Sequence, residues 1–561
     1  MVPAFKYSYA SLLYDAVATR RCIACELVIA AALFTTGSAA ALADNPEWTR
    51  IFPAGGQQGQ TVKVAMKTKF PNGEPAFWVD QPGLGWKATE TAGEYQVTIA
   101  ANAVPGVRYA RAYDSIGATG LMRFVIGSLP EHNEQEPNPL PKQANPVSQL
   151  PCVINGVLGE RGDVDHFGVH LQAGQTLVAS IAAERELASP VDACLQLISS
   201  SGHVLLQNLD ARGLDPELTW TAQSDCDVVV RVFGFPSAPD STIALGGNEN
   251  FIYRLTMASG PYVTATLPLA VSASEPTTIR PIGHNLTQAP TTISVPAMND
   301  AFFFHIATPE FVSSLVLPVV NEPLFVASKT SDGGATATKV TIPSCISGQL
   351  REKGQEDRWE FSALKGTKLV MQLESRKLGY PLDAVLRIED AKASVLLEVD
   401  DVDQQADPRL QWTAPEDGTY LAIVRDVNRF YGDEFVYRLT IKPESAEYHA
   451  TLAKDLFRGD VGTEIEIPIK VERTGGFSDE IEFTIEGLPE AVSMALALSL
   501  KEGETSKAVV LKLTSTAPYN APIKIIGRSK GSQDDRFQVA TVEGLPIKEA
   551  WLSIQSKALT Q

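Results

Sequence analysis

Four carboxylates fall in one short stretch, at Asp400, Asp401, Asp403 and Asp407. Hard oxygen ligands gathered in a loop are what a calcium ion takes. Asp357 and Asp383 could join them from neighbouring turns. The spacing is not that of an EF-hand: with Asp400 as the first position, the sixth is Gln405 rather than glycine and the twelfth is Gln411 rather than glutamate. A solvated acidic turn is the competing and favoured reading, because charge runs in loops are usually exposed. These four aspartates are the candidate metal ligands, and calcium is the one cofactor considered.

Other chemistry-bearing patterns are weaker. Gly527-Arg528-Ser529-Lys530-Gly531 matches G-x-S-x-G, but a nucleophile elbow must run from a strand into a helix. Here strand-like Ile523 to Ile526 leads through the motif to strand-like Arg536 to Val539, so a hairpin is expected and no catalytic residue is assigned. The seven histidines form no H-E-x-x-H. On a strand, His166 and His170 would share a face about 13 Å apart, too far to share a metal; both read as solvated. Cys22 and Cys25 fall in the leader described below. Of the other cysteines, Cys194 reads as a buried thiol. A bridge from Cys226 to Cys194 or Cys152 stays open, and Cys345 has no assigned partner.

The elements that must position these residues are repeated. Asp215-Pro216-Glu217-Leu218-Thr219-Trp220-Thr221-Ala222 returns as Asp407-Pro408-Arg409-Leu410-Gln411-Trp412-Thr413-Ala414, and Phe251-Ile252-Tyr253-Arg254-Leu255-Thr256 as Phe435-Val436-Tyr437-Arg438-Leu439-Thr440. Asp165 matches Asp357, Phe167 matches Trp359, and Gly174 matches Gly366. An internal repeat of this length is one structural unit written twice. Short alternating runs such as Leu177 to Ile181 and Val228 to Val232 lie between turn residues, which predicts an all-β chain of tandem β-sandwiches. Trp220 and Trp412 should fill the cores. Asp215 and Asp407 should hold strand-entry turns through side-chain to backbone hydrogen bonds, and Gly174 and Gly366 suit a positive φ.

The repeats, with Gly162-Asp163-Val164-Asp165-His166-Phe167, Ser189-Pro190-Val191-Asp192 and Pro415-Glu416-Asp417-Gly418-Thr419-Tyr420, resemble the bacterial pre-peptidase C-terminal domain. That resemblance implies a jelly-roll-like sandwich in each copy, attached to a secreted protein, and it includes calcium binders. Phe52-Pro53-Ala54-Gly55-Gly56-Gln57 is similar to the opening of a TIG-type immunoglobulin-like domain. Val471-Glu472-Arg473-Thr474-Gly475-Gly476-Phe477 with Glu486-Gly487-Leu488-Pro489 is similar to an immunoglobulin-like module.

The expected layout is a signal peptide over 1–43, a TIG-like domain over 44–128 and a Pro-rich linker over 129–145. The first repeat follows over 146–260, a β module of uncertain type over 261–342, the second repeat over 343–444 and an immunoglobulin-like sandwich over 448–556. The leader reading rests on Arg20 and Arg21, the apolar run Leu27 to Phe34 and Ala41-Leu42-Ala43 as cleavage site. A net charge of −19 disfavours nucleic acid, and no later run has the ~18 apolar residues of a membrane span. The expected function is that of an exported, non-catalytic β protein that binds, spaces or stabilises an extracellular protein or polysaccharide. A secreted hydrolase with an unrecognised site is the alternative.

Overall fold

The computed structural model describes residues 47–70, 74–115, 117–236, 244–299, 303–306, 310–313, 315–327, 336–401, 406–530, 535–542, 544–545 and 547–556. The leader expected over 1–43 lies outside these residues. Nearly all regular structure is β. Alternating burial along the strands, as in Ile465–Thr474 and Ala508–Ser515, puts every second side chain into a core.

Each repeat is a sandwich of two five-stranded sheets. In the first the strands are β1 (Glu131–Asn133), β2 (Asn145–Val147), β3 (Cys152–Val157), β4 (Val164–Leu171), β5 (Thr176–Ala182), β6 (Asp192–Ser199), β7 (Val204–Asn208), β8 (Glu217–Thr221), β9 (Cys226–Phe235) and β10 (Ile252–Ala258). One sheet has the order β2-β4-β9-β6-β7 and the other β8-β5-β10-β3-β1. The second sandwich contains β11 (Leu324–Val326), β12 (Thr338–Lys339), β13 (Ser344–Gln349), β14 (Asp357–Ala363), β15 (Lys368–Glu374), β16 (Ala384–Asp390), β17 (Val395–Val399), β18 (Arg409–Thr413), β19 (Gly418–Asp426) and β20 (Val436–Pro443). Its sheets run β12-β14-β19-β16-β17 and β18-β15-β20-β13-β11, the same order strand for strand.

The lead-in strands correct the expected layout. The stretch 129–145 reads as a stiff linker, yet β1 pairs in parallel with β3, and β2 with β4. β11 and β12 repeat this in the second copy, ahead of position 343. Polar, proline-rich strands at a sheet edge carry no alternation to betray them.

The expected anchors hold. Trp412 is buried in the second core, and Trp220 packs against the first. Each lies opposite a buried leucine, Leu369 and Leu177. Gly174 and Gly366 have φ of 80° and 81°. The two flanking modules and the middle module are also two-sheet units, of 4+4 strands over 47–127, 3+3 over 262–320, and 5+6 over 447–555, the strand Asp535–Val539 counted among the six. The modules touch. Arg111 of the first pairs with Asp455 of the last, and Trp551 packs against Tyr113 at 4.9 Å.

Candidate metal centre

Both sandwiches are bolted across their sheets by one tyrosine. Tyr253 on β10 donates to Asp165 on β4 at 2.6 Å, and Tyr437 on β20 donates to Asp357 on β14 at 2.8 Å. The ring needs room on its own sheet: a Cβ at Gly156, or at Gly348, would overlap it. The Y-R-L-T strand and the G-x-x-D segments are therefore two halves of one buried hydrogen bond.

The copies diverge at the other carboxylate oxygen. In the second, Gln355 donates to Asp357 Oδ1 at 2.7 Å, and Trp359 Nε1 donates to Tyr437 at 2.9 Å. In the first, Asp163 stands where Gln355 does, Phe167 replaces Trp359, and Asp165 Oδ1 is shielded from solvent without a hydrogen bond. Around it come Glu134 and Glu136 from the segment after β1, with one ligand oxygen from each of the three carboxylates lying within 4.8 Å of the others.

Local hydrogen bonds fix this arrangement. Val157 N–H donates to Glu134 Oε1 at 2.7 Å, and Asn138 N–H donates to Glu136 Oε2 at 2.9 Å. Asn138 is fully buried and its Oδ1 is a second oxygen without a partner. Its carbonyl accepts from His166 Nδ1 at 3.0 Å. His166, expected on the solvated face, is instead buried beneath this segment, and burial pulls its pKa down. His170 is solvated as expected, 2.9 Å from Asp227.

Burial and mutual repulsion act together on the acids. Burial first, then the charge of Glu134, pushes Asp165 up to about 10. Burial pushes Glu134 up to about 7, with Asp163 and Glu136 adding to the rise. Carboxyls so placed hold either protons or a cation. A donor set of carboxylate and amide oxygens alone is that of a hard divalent ion, calcium before zinc.

Of the four aspartates expected to ligate calcium, Asp407 has another set of partners. Asp407 is buried and accepts the N–H groups of Ser375 (3.1 Å), Arg376 (3.0 Å) and Lys377 (2.8 Å), so it is removed from the ligand set. Asp215 does the same for Ala183, Glu184 and Arg185. Both aspartates thus make the expected side-chain to backbone bonds, though to the helical turns Glu184–Leu187 and Arg376–Leu378 rather than to their own strand entries. Burial still leaves Asp215 raised to about 6. Asp400 and Asp401 are exposed, and Asp403 lies outside the described residues. Asp383 pairs with Arg376 at 3.3 Å. Among the described residues no three-ligand group includes Asp400 or Asp401.

Ser529 is buried on the strand Tyr519–Lys530, which pairs antiparallel with Asp535–Val539, so the described part of the G-x-S-x-G string, Gly527 to Lys530, lies within a strand. Cys152, Cys194, Cys226 and Cys345 are free thiols, and the bridges left open by the sequence are not formed. Among the described residues no helix is long and apolar enough to cross a membrane.

No protein-family model matches the chain, and no curated protein sequence does. Solved structures give partial likenesses. The pre-peptidase C-terminal domain of a collagenase from Bacillus anthracis is 11% identical with TM-score 0.16, covering 19% of this chain and 95% of that one. A periplasmic inhibitor of g-type lysozyme from Aeromonas hydrophila is 12% identical with TM-score 0.15, covering 19% and 99%. A DUF4785 family protein from Legionella pneumophila is 9% identical with TM-score 0.12, covering 38% and 65%.

Proposed function

We propose that this chain is an exported, non-catalytic assembly of β modules that presents its surface to an extracellular protein or polysaccharide. In this reading its first sandwich binds calcium through Glu134, Glu136 and Asp165. The sequence resemblance of the repeats to pre-peptidase C-terminal domains, and of the flanks to TIG and immunoglobulin-like modules, supports the modular part. The observation that carries the cation is Asp165 Oδ1, a buried oxygen with no hydrogen bond beside two further carboxylates. The ion would cancel the repulsion among those acids and tie the lead-in segment to β4. Unlike Asp165, its counterpart Asp357 has both oxygens filled by protein donors.

Thermal unfolding of the full chain in calcium and in chelator tests this. Calcium at a hundredfold excess over its dissociation constant adds about 2.7 kcal/mol to the state that binds it, so the midpoint should rise; coincident midpoints would sink the cation. Proteolysis by the pure chain, abolished by one substitution, would overturn the non-catalytic reading.

A further inference from the structure

A second donor set lies at the β8 edge of the first sandwich, on the same sheet as β1 and at its opposite edge, where three modules meet. Glu217 opens β8 of the first sandwich, His284 closes the middle-module strand Thr277–His284, and Glu434 precedes β20 of the second sandwich. All three are half-buried, and one ligand atom from each lies within 4.8 Å of the others. Glu434 Oε1 is closed to solvent and accepts no hydrogen bond.

Arg212 reaches into the same junction, 3.7 Å from Glu217 and 3.9 Å from Glu434. These distances exceed hydrogen-bond length, so the guanidinium offsets charge without occupying the carboxylate lone pairs; it donates to Thr264 O at 3.3 Å. Two carboxylates against one guanidinium leave a residual negative charge. Tyr262, which faces His284 across the strand pair, donates to Glu217 Oε2 at 3.2 Å and orients that carboxylate. Outer partners of this kind accompany metal ligands.

We propose that Glu217, His284 and Glu434 form a zinc site that ties the first sandwich, the middle module and the second sandwich together. One imidazole and two carboxylates, with water in the fourth position, is a donor set that zinc accepts. The imidazole sets this site apart from the all-oxygen calcium centre. Each ligand comes from a different module, so the ion would act as a clamp on their relative placement.

The test titrates the metal-free full chain with zinc while calcium is saturating. One equivalent should bind and raise the unfolding midpoint. His284→Ala should lose that equivalent, Tyr262→Phe should bind about tenfold more weakly, and Asp401→Asn, at an exposed residue outside both donor sets, should bind zinc as the wild type does. Zinc uptake unchanged in His284→Ala, or none by the folded wild-type chain, overturns the site and leaves an ion-pair junction only. If His284→Ala does not fold, the wild type decides: bound zinc must shield the His284 imidazole from carbethoxylation, and equal modification with and without zinc overturns the proposal.

Discussion

In the second sandwich Asp357 accepts from Tyr437 and from Gln355, while in the first Asp165 accepts from Tyr253 alone and faces Glu134 and Glu136. The strands around the two aspartates are ordered identically. One scaffold thus carries a closed polar bolt in one copy and an open one in the other. The difference arises from a few positions: Asp163 where the second copy has Gln355, Phe167 where it has Trp359, and acids in the lead-in segment. A duplicated fold keeps what packs and is free to vary what only completes a hydrogen bond.

The comparison breaks most visibly at its aromatic position. Trp359→Ala should cost the second sandwich about 3–5 kcal/mol, read as lost hydrogen-exchange protection along β14 and β20. Trp359→Phe, which copies Phe167, should cost about 1 kcal/mol through the lost bond to Tyr437. A Trp359→Phe chain as stable as the wild type would show that the bond to Tyr437 does not distinguish the copies.

Replacing each aspartate by asparagine should destabilise the second sandwich only. In Asp357→Asn, an amide that turns its NH2 toward Gln355 or Tyr437 meets a donor, which should destabilise by about 1–3 kcal/mol. Asp165→Asn removes a carboxyl that burial and Glu134 already hold neutral, so the calcium-free chain should be unchanged or slightly more stable by denaturant unfolding. Destabilisation of both by the same amount would erase the distinction.

Acidity sharpens the same contrast. Glu134 is raised from 4.5 to about 7 in the folded chain, so the folded state holds more protons than the unfolded one across that window. Its contribution is present in full below pH 4.5 and lost as pH rises through 7, on the order of 3 kcal/mol without calcium. Calcium, which displaces those protons, should bind more tightly at pH 8 than at pH 5. A calcium-free stability that rises over this window would contradict the assignment.

The caps should behave alike. Asp215→Ala and Asp407→Ala each remove three amide partners from a helical turn, and each should cost about 1 kcal/mol. A clear inequality would mean that Asp407 does more than cap.

Much of this fold is legible in the residues. The D-P-x-L-x-W and Y-R-L-T blocks mark the duplicated unit because core aromatics and a cross-sheet tyrosine tolerate little change. Alternation marks the strands because one face is buried. The lead-in strands escape notice because Glu131 to Val147 is polar and pairs only at sheet edges. The carboxylate cluster hides for the same reason. Glu134 and Glu136, like Asp163 and Asp165, are two apart and would share a face on a strand, a signal obscured by the Pro-rich reading of their segment. The Asp400 to Asp407 run draws the eye through its density, yet Asp407 faces backbone amides thirty residues earlier in the chain, a destination no local spacing reveals.

On the proposed reading the first sandwich, and not the second, takes up the cation. Hydrogen–deuterium exchange of the full chain with and without calcium, repeated on Glu136→Gln, tests it most directly. Calcium should protect 131–147 and β4, should leave β14 and the 395–410 stretch unprotected, and should protect neither 131–147 nor β4 in Glu136→Gln. Protection centred on 395–410, or protection of 131–147 that survives in Glu136→Gln, would contradict it.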